Sequence, residues 1–184
     1  KKIVPSYVRI NRIQRDIPTF MTEAGVDMTN LRQMVLNEMD SEGVSCNCIR
    51  CREVGRKGNK GMPGLKVYYY SASGSEFFIS FENSGLLGFC RLRFPKHSLT
   101  REIREDCAVI RELHVYGTAV GIGKKGDSQH SGWGRKLLLE AERIAVENNK
   151  KKMVIISGIG VRSYYRKFGY RRQGPYMVKR LKDV

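Results

Sequence analysis

The sequence predicts an α+β fold: a mixed, mostly antiparallel sheet flanked by helices, with a small cysteine-bearing segment in front of it. Three observations lead there. Three strand-patterned runs, residues 65–71, 77–82 and 86–94, follow one another across turns at Ser73-Gly74 and Asn83-Ser84-Gly85, the pattern of an antiparallel meander. The second half then reads strand (108–116), glycine-rich loop, helix (132–149), strand (153–157), short helix (161–168, ending at Gly169) and strand (176–181). Within the long helix Leu137, Leu138, Ala141, Ile144 and Ala145 fall on one stripe, so it has a single face to bury.

The first sixty residues are less regular. Residues 1–26 are basic and extended in pattern, with Arg9, Arg12 and Arg15 before Asp16-Ile17-Pro18, and read as a linker or docking segment. Asp27-Met28-Thr29-Asn30 offers N-caps for a helix over 31–40, with Leu31, Met34, Val35 and Met39 on one face and Gly43 as its stop. The cysteine cluster follows, then a short strand near 52–54. Residues 55–64 hold four glycines and a proline among charges and read as a basic loop. The expected division is residues 1–60 as a basic linker with a metal cluster, and 61–184 as the sheet domain.

Of 184 residues 41% are hydrophobic, so a real core is expected. Lys and Arg total 34 against 18 acidic residues, a net charge of +16. That excess suits a polyanion: nucleic acid, an acidic membrane surface or a phosphate-rich ligand. One phosphate-bearing cofactor carries too few charges to balance it, which favours nucleic acid. No apolar run is long enough to span a membrane and no signal-peptide pattern is present, so no membrane partner is expected. The chain begins Lys1-Lys2-Ile3 without methionine, as a piece of something longer would. Five cysteines, three of them within six positions, do not make a secreted disulfide framework; a reducing cytoplasm and a metal site fit better.

Gln129-His130-Ser131-Gly132-Trp133-Gly134 opens the long helix. A Gln-x-x-Gly-x-Gly turn there aims unpaired backbone N–H groups at one point, where the helix dipole adds partial positive charge, so a phosphate or pyrophosphate binds. Upstream strands are antiparallel and no acidic residue sits where a dinucleotide ribose needs one, which excludes a repeated βαβ nucleotide fold.

That order of elements, with Gln-x-x-Gly-x-Gly after the fourth strand, resembles the GNAT acetyltransferase family. The resemblance implies two parallel strands, about 109–116 and 153–157, that splay apart around the pantetheine arm of acetyl-CoA. Glu112, Leu113, His114 and Val115 would contact the pantetheine; Gln129, Gly132, Trp133, Gly134 and Arg135 would hold the pyrophosphate. Tyr164 and Tyr165 follow the second splayed strand, and one of them would protonate the departing thiolate, a poor leaving group until protonated. The other would pack in the core; Tyr165 is also counted with the acetyl-CoA contacts. Glu112 is a candidate base or water-orienting group, or else a strand-edge carboxylate paired with Arg111 or a nearby lysine.

Longer strings carry a more specific resemblance. Arg52-Glu53-Val54-Gly55, Arg111-Glu112-Leu113-His114-Val115-Tyr116-Gly117, Glu140-Ala141-Glu142-Arg143-Ile144-Ala145, Ile156-Ser157-Gly158-Ile159-Gly160, Tyr164-Tyr165-Arg166-Lys167 and Gly174-Pro175-Tyr176-Met177-Val178-Lys179 are similar to the C-terminal half of the Elp3 family, as is Gln14-Arg15-Asp16-Ile17-Pro18. The resemblance implies a tRNA-modifying enzyme that places a carboxymethyl-type group on C5 of wobble uridine, with acetyl-CoA as two-carbon donor. It also implies a radical S-adenosylmethionine domain with a 4Fe-4S cluster as partner. The cluster motif Cys-x-x-x-Cys-x-x-Cys is absent here, so this chain alone should not complete the modification.

Cys46-x-Cys48-x-x-Cys51 suits tetrahedral zinc, with His97 as the expected fourth ligand and His114 second. The Elp3 resemblance implies a structural zinc between the two halves of the protein. Cys90 and Cys107 lie in strand patterns and read as small core residues. Candidate tRNA contacts are Arg9, Arg12, Arg15, Arg50, Arg52, Arg56, Lys57, Lys60 and Lys66 around the cluster, and Arg162, Arg166, Lys167, Arg171 and Arg172 near the tyrosines. Two other readings compete: a lysine (histone-type) acetyltransferase, which the positive charge disfavours because a basic tail needs an acidic groove, and a non-catalytic tRNA-binding module that keeps the fold.

Overall fold

In a computed structural model of the chain, which describes residues 1–13, 18–25, 30–117 and 132–181, seven strands make one sheet. β1 (Gly64–Ser71), β2 (Gly74–Glu82), β3 (Leu86–Pro95) and β4 (Cys107–Val115) form the antiparallel meander. β5 (Lys152–Ile155) lies parallel to β4. β6 (Arg171–Gln173) and β7 (Tyr176–Arg180) form a hairpin whose second strand pairs antiparallel with β5, giving the order β1-β2-β3-β4-β5-β7-β6. The helices are α1 (Leu31–Ser41), α2 (Ile49–Arg52), α3 (Val54–Lys57), α4 (Trp133–Glu147) and α5 (Arg162–Arg166). This is the expected mixed sheet with flanking helices.

α4 covers one face of the sheet. Its whole predicted stripe, Leu137, Leu138, Ala141, Ile144 and Ala145, is buried and packs with Ile79, Cys90, Leu92, Ala108, Ile110, Met153, Ile155 and Met177. Each fully buried Leu, Ile or Met contributes about 1.5–3 kcal/mol. Tyr170 and Lys179 both bond to Glu142 of α4, at 2.7 and 2.7 Å, and tie the helix to the end of the sheet.

Part of the other face is covered by described residues of the first sixty, while Ile103 packs on Val109 and Val154 further along it. Ile49 packs with Phe78, Leu86 and Phe89, and the rings of Tyr7 and Tyr70 stack 4.1 Å apart. The strand expected near 52–54 is reduced to a single bridge, Glu53 to Leu86, between α2 and α3. Two short helical turns bury Cys48, Ile49 and Val54 together, which strand alternation could not do. In α1 Met34 is exposed; Leu36 joins Val35 and Met39 against Cys46 and Cys48 in its place. β6 was not foreseen because Arg171-Arg172-Gln173 is polar and exposed throughout, with no apolar alternation to read.

Gly85 shows how closely the two parts meet. A Cβ there would lie 2.8 Å from Gly58 O and 2.9 Å from Val54 Cα, both backbone atoms. Gly85→Val is therefore expected to push α3 off β3 and destabilise the chain by about 2–4 kcal/mol, measured by thermal unfolding; an unchanged melting temperature would refute this close approach.

Glu82 is the second fastening. It is buried and receives Arg52 Nη1 at 2.6 Å, Lys66 Nζ at 3.0 Å and Ser80 Oγ at 2.9 Å. Burial pushes its carboxyl up, but Arg52 and Lys66 outweigh burial and hold it below its ordinary value of 4.5. A depressed folded-state value contributes stability that is present above 4.5 and is lost as pH falls through the folded-state value. Glu82→Gln should cost about 3–5 kcal/mol at neutral pH by leaving Arg52 uncompensated, and should flatten the fall of stability below pH 4.5.

Candidate functional site

The parallel pair opens part-way along. β4 and β5 are in register from Cys107 opposite Lys152 to Ile110 opposite Ile155, and a last bond runs from Ile156 N–H to Ile110 O (3.0 Å). Beyond this β4 continues through Arg111 to Val115 with β3 as its partner, while the other chain turns away through Gly158 into α5. A β-bulge marks the point. Ile110 is opposite Leu92 and Glu112 opposite Arg91, leaving Arg111 as the extra residue, which bends the strand. The Arg111 guanidinium reaches buried Glu76 at 3.0 Å, which anchors the bulge. The N–H of Tyr116 donates to Leu87 O (2.7 Å), so by strand alternation the backbone groups of Leu113 and Val115 face the gap.

Side chains on this stretch divide between the faces. Leu113 and Val115 pack on the α4 side. Glu112 lies on the other, 3.1 Å from Arg91 Nε, whose guanidinium sits 5.4 Å from the centre of Phe78. His114 shares that face, its ring 4.5 Å from Tyr116.

The amino end of α4 stands over the α4-side face. Gly132 caps it at φ +71°, a conformation that favours glycine. Among the described residues no carboxylate lies in the first turn to compete with an anion for the N–H groups there, and Arg135 is exposed beside them. Trp133 packs its ring 4.8 Å from Phe81 with Lys136 over it at 4.3 Å, which leaves its backbone as the part available to a ligand. Gln129 lies outside the described residues.

The two tyrosines take different places. A Cβ on Gly134 would meet Tyr164 Oη at 2.7 Å and Val115 Cγ2 at 3.6 Å, so Tyr164 stands where the helix end meets the last residue of β4. Burial raises its hydroxyl above the ordinary value. Tyr165 is buried, edge-on to Tyr164 (5.3 Å) and Tyr170 (6.1 Å). Burial first, then Cys90 and Tyr164, push its hydroxyl up to about 12. Cys90 is opposite Leu113 in the register and Gly88 opposite Val115. Tyr165 shares its core cluster with Cys90, Ile110 and Ile155, whereas the Tyr164 hydroxyl stands at the helix end.

Cys46, Cys48 and Cys51 converge, with their Sγ atoms within 4.8 Å of one another. Cys48 precedes α2, whose turn brings Cys51 back beside it, and Ile49 N–H donates to Val8 O (2.9 Å) to hold the turn. Burial pushes the Cys48 thiol up, but the N–H groups of Cys51 and Ile10 and the neighbouring thiols outweigh it and the net shift is down. Burial and Cys48 push Cys51 up to about 11. Three buried or half-buried sulfurs at this spacing fit one soft, tetrahedral cation.

Neither proposed histidine joins them. His97 is exposed on the loop after Pro95, whereas the cluster lies beside Leu86 at the other end of β3. Ten strand residues span about 30 Å, too far for a loop side chain to swing. His114 is stacked among aromatic rings. Among the described residues the three cysteines alone form the group.

The basic residues also divide. Arg9 binds Glu53 (2.5 Å) and the Tyr116 hydroxyl (2.8 Å), and Arg52 and Lys66 are held by Glu82, so these three fasten the fold. Arg50 donates to Asn11 O and Arg162 to Pro175 O. Arg12, Arg56, Lys57, Lys60, Arg166, Lys167, Arg171 and Arg172 are exposed. Arg15 lies outside the described residues. Among those described, no helix is long and apolar enough to cross a membrane.

No family model matches the chain. Among curated proteins it is similar to a tRNA uridine(34) acetyltransferase of Methanocaldococcus infernus, 44% identical over 98% of this chain and 37% of that protein. It is also similar to Elongator complex protein 3 of Homo sapiens, 42% identical over 98% of this chain and 35% of that protein. Among solved structures it matches the archaeal Methanocaldococcus infernus Elp3 with an N-terminal deletion, at a TM-score of 0.89 and 45% identity, over 98% of this chain and 46% of that one. The chain therefore spans less than half the length of these relatives.

Proposed function

The chain belongs to the Elp3 family, of which it is a C-terminal, GNAT-type part, and on that footing we propose that it binds acetyl-CoA and cleaves its thioester within an enzyme that carboxymethylates C5 of tRNA wobble uridine (U34). The observation that carries the reading is the parting of β4 from β5 beneath the amino end of α4, with Tyr165 buried in the same core as Ile110 and Ile155, the last paired residues.

In this reading the pantetheine amides pair with the free backbone groups of Leu113 and Val115. The pyrophosphate rests on the N–H groups of Gly132, Trp133 and Gly134, with Arg135 and Gln129 closing on it. Tyr164 lines the path near the helix end. The thioester lies toward the bulge and Tyr165. Attack on the thioester carbonyl expels the thiolate, and Tyr165 donates its proton to the sulfur. Glu112, held by Arg91 on the opposite face, accepts the proton of the attacking water.

Zinc held by Cys46, Cys48 and Cys51 stiffens the segment in front of the sheet; its fourth donor comes from outside the described residues. tRNA lies along the exposed cations on either side, Arg12, Arg56, Lys57 and Lys60 by the cluster and Arg166, Lys167, Arg171 and Arg172 by the tyrosines. S-adenosylmethionine and a 4Fe-4S cluster belong to a radical domain outside this chain. A setting in the reducing cytoplasm agrees with five free cysteines. Calorimetric titration of the chain with acetyl-CoA tests the donor site: we expect saturable binding that Gly134→Leu, which would crowd Tyr164 and the helix end, reduces at least about tenfold. Equal affinity in the two proteins would refute the placement.

A further inference from the structure

A second cavity lies at the other end of the β4–β5 pair. It has a volume of about 840 Å³. Arg101 and Arg104, from the loop before β4, Lys151 and Lys152, at the start of β5, and Arg180, at the end of β7, line it; among the described residues Asp106 is the one carboxylate of the lining. Two backbone bonds bring these chain ends to one rim: Lys151 N–H to Asp106 O and Leu181 N–H to Lys151 O, each 2.9 Å. Asn149, at φ +56°, turns the chain out of α4. The neighbouring Lys150 leans away, its Nζ donating to Glu105 O (2.8 Å) and lying 5.2 Å from the Phe94 ring centre.

Lys152 is engaged with Glu102 O at 2.7 Å. The remaining four cations are exposed, and among the described residues none of them is in an ion pair. Such a gathering of like charge repels itself and is relieved by a multivalent anion. Guanidinium forks match phosphate oxygens in pairs. Among the described residues no aromatic side chain lines the cavity on which a base could stack. The site is therefore built to hold phosphates and not to read a nucleobase.

We propose that this cavity holds backbone phosphates of RNA, at a site separate from the acetyl-CoA wedge and from the cations around the cysteines. It is separate because the wedge opens beyond Ile110 and Ile155, whereas the cavity lies before Cys107 and Lys152, about 13 Å away along the strands. The inference rests on the tRNA reading above and extends it to a face that reading does not use.

The test is tRNA binding by the full chain across about 50–200 mM salt, comparing the parent with Arg101→Gln/Arg104→Gln/Arg180→Gln. Lys152 is left intact because it supports Glu102. The expected result is at least about tenfold weaker binding and a slope of log Kd against log salt smaller by about 2–3, as for two or three lost phosphate contacts. The melting temperature and acetyl-CoA affinity should be unchanged. Arg56→Gln/Lys57→Gln should reduce the slope by a separate, additive amount. If the parent binds tRNA and the triple variant binds it with the same slope and affinity, this inference fails while the tRNA reading stands. If the parent binds no tRNA, both fail. Calorimetry with inorganic tripolyphosphate separates the sources: tripolyphosphate binding that the triple variant loses, with tRNA binding unmoved, would assign the cavity to a free polyphosphate and overturn the RNA assignment.

Discussion

Tyr165→Phe is expected to lower release of CoA from acetyl-CoA by about a hundredfold or more, the usual contribution of a positioned general acid. The substitution removes one oxygen and keeps the ring, so the packing of Tyr165 against Tyr164 and Tyr170 survives and the loss should fall on turnover. Tyr164→Phe should act differently. Its hydroxyl stands by Gly134 and Val115, toward the helix end, so its removal should raise KM by a few-fold and leave kcat within about threefold of the parent. The pH dependence is a second readout. With the Tyr165 hydroxyl pushed up to about 12, the proton donor stays loaded through the neutral range and is lost only as pH rises toward that value. A rate limited by proton donation should thus show no alkaline fall below about pH 10. A fall near pH 8 in the parent would exclude both hydroxyls as the donor, and a large kcat loss in Tyr164→Phe alone would exchange the two roles.

The second large effect is on stability. Zinc bound to the folded chain and not to the unfolded one stabilises by about 4 kcal/mol when free zinc exceeds its dissociation constant a thousandfold. For a chain of this size each kcal/mol moves the melting temperature by roughly 2–4 °C, so stripping the metal with a chelator should lower it by about 8–16 °C. Cys48→Ser should reproduce most of that loss, because Cys48 is fully buried and its sulfur lies within 4.8 Å of the other two. Zinc analysis after dialysis should give one ion per chain in the parent. No bound zinc, with chelator leaving the melting curve unmoved, would assign the three thiols to ordinary core packing. His97→Ala, at the far end of β3, should change neither quantity.

Where sequence pattern and tertiary packing depend on the same residues, the pattern sufficed. The stripe of α4 and the three strands of the meander could be read because their apolar periods are also their buried faces. The divergence of β4 from β5 came from family resemblance; the bulge at Arg111 that produces it left no local signal, since its anchor, Glu76, lies thirty-five positions away. The same separation hid the roles of Arg9 and Arg52. In sequence they are two more cations in a basic segment, and only folding brings them to Glu53, Tyr116 and Glu82. His97 misled for the opposite reason. A histidine in a loop looks free to reach a metal until the length of the intervening strand is known. The cavity around Arg104 was likewise invisible, because its cations come from three separate strand ends that meet only when β7 lies beside β5.

In the proposed function, thioester cleavage at the β4–β5 wedge is coupled to tRNA. Release of CoA from acetyl-CoA by the purified chain should be followed with tRNA, with a basic peptide and with neither. Release is expected to be stimulated by tRNA and not by the peptide, and to fall about a hundredfold or more in Tyr165→Phe. Release stimulated by the peptide with transfer of acetyl to its lysines, or no release under any condition while tRNA binds, would contradict that function.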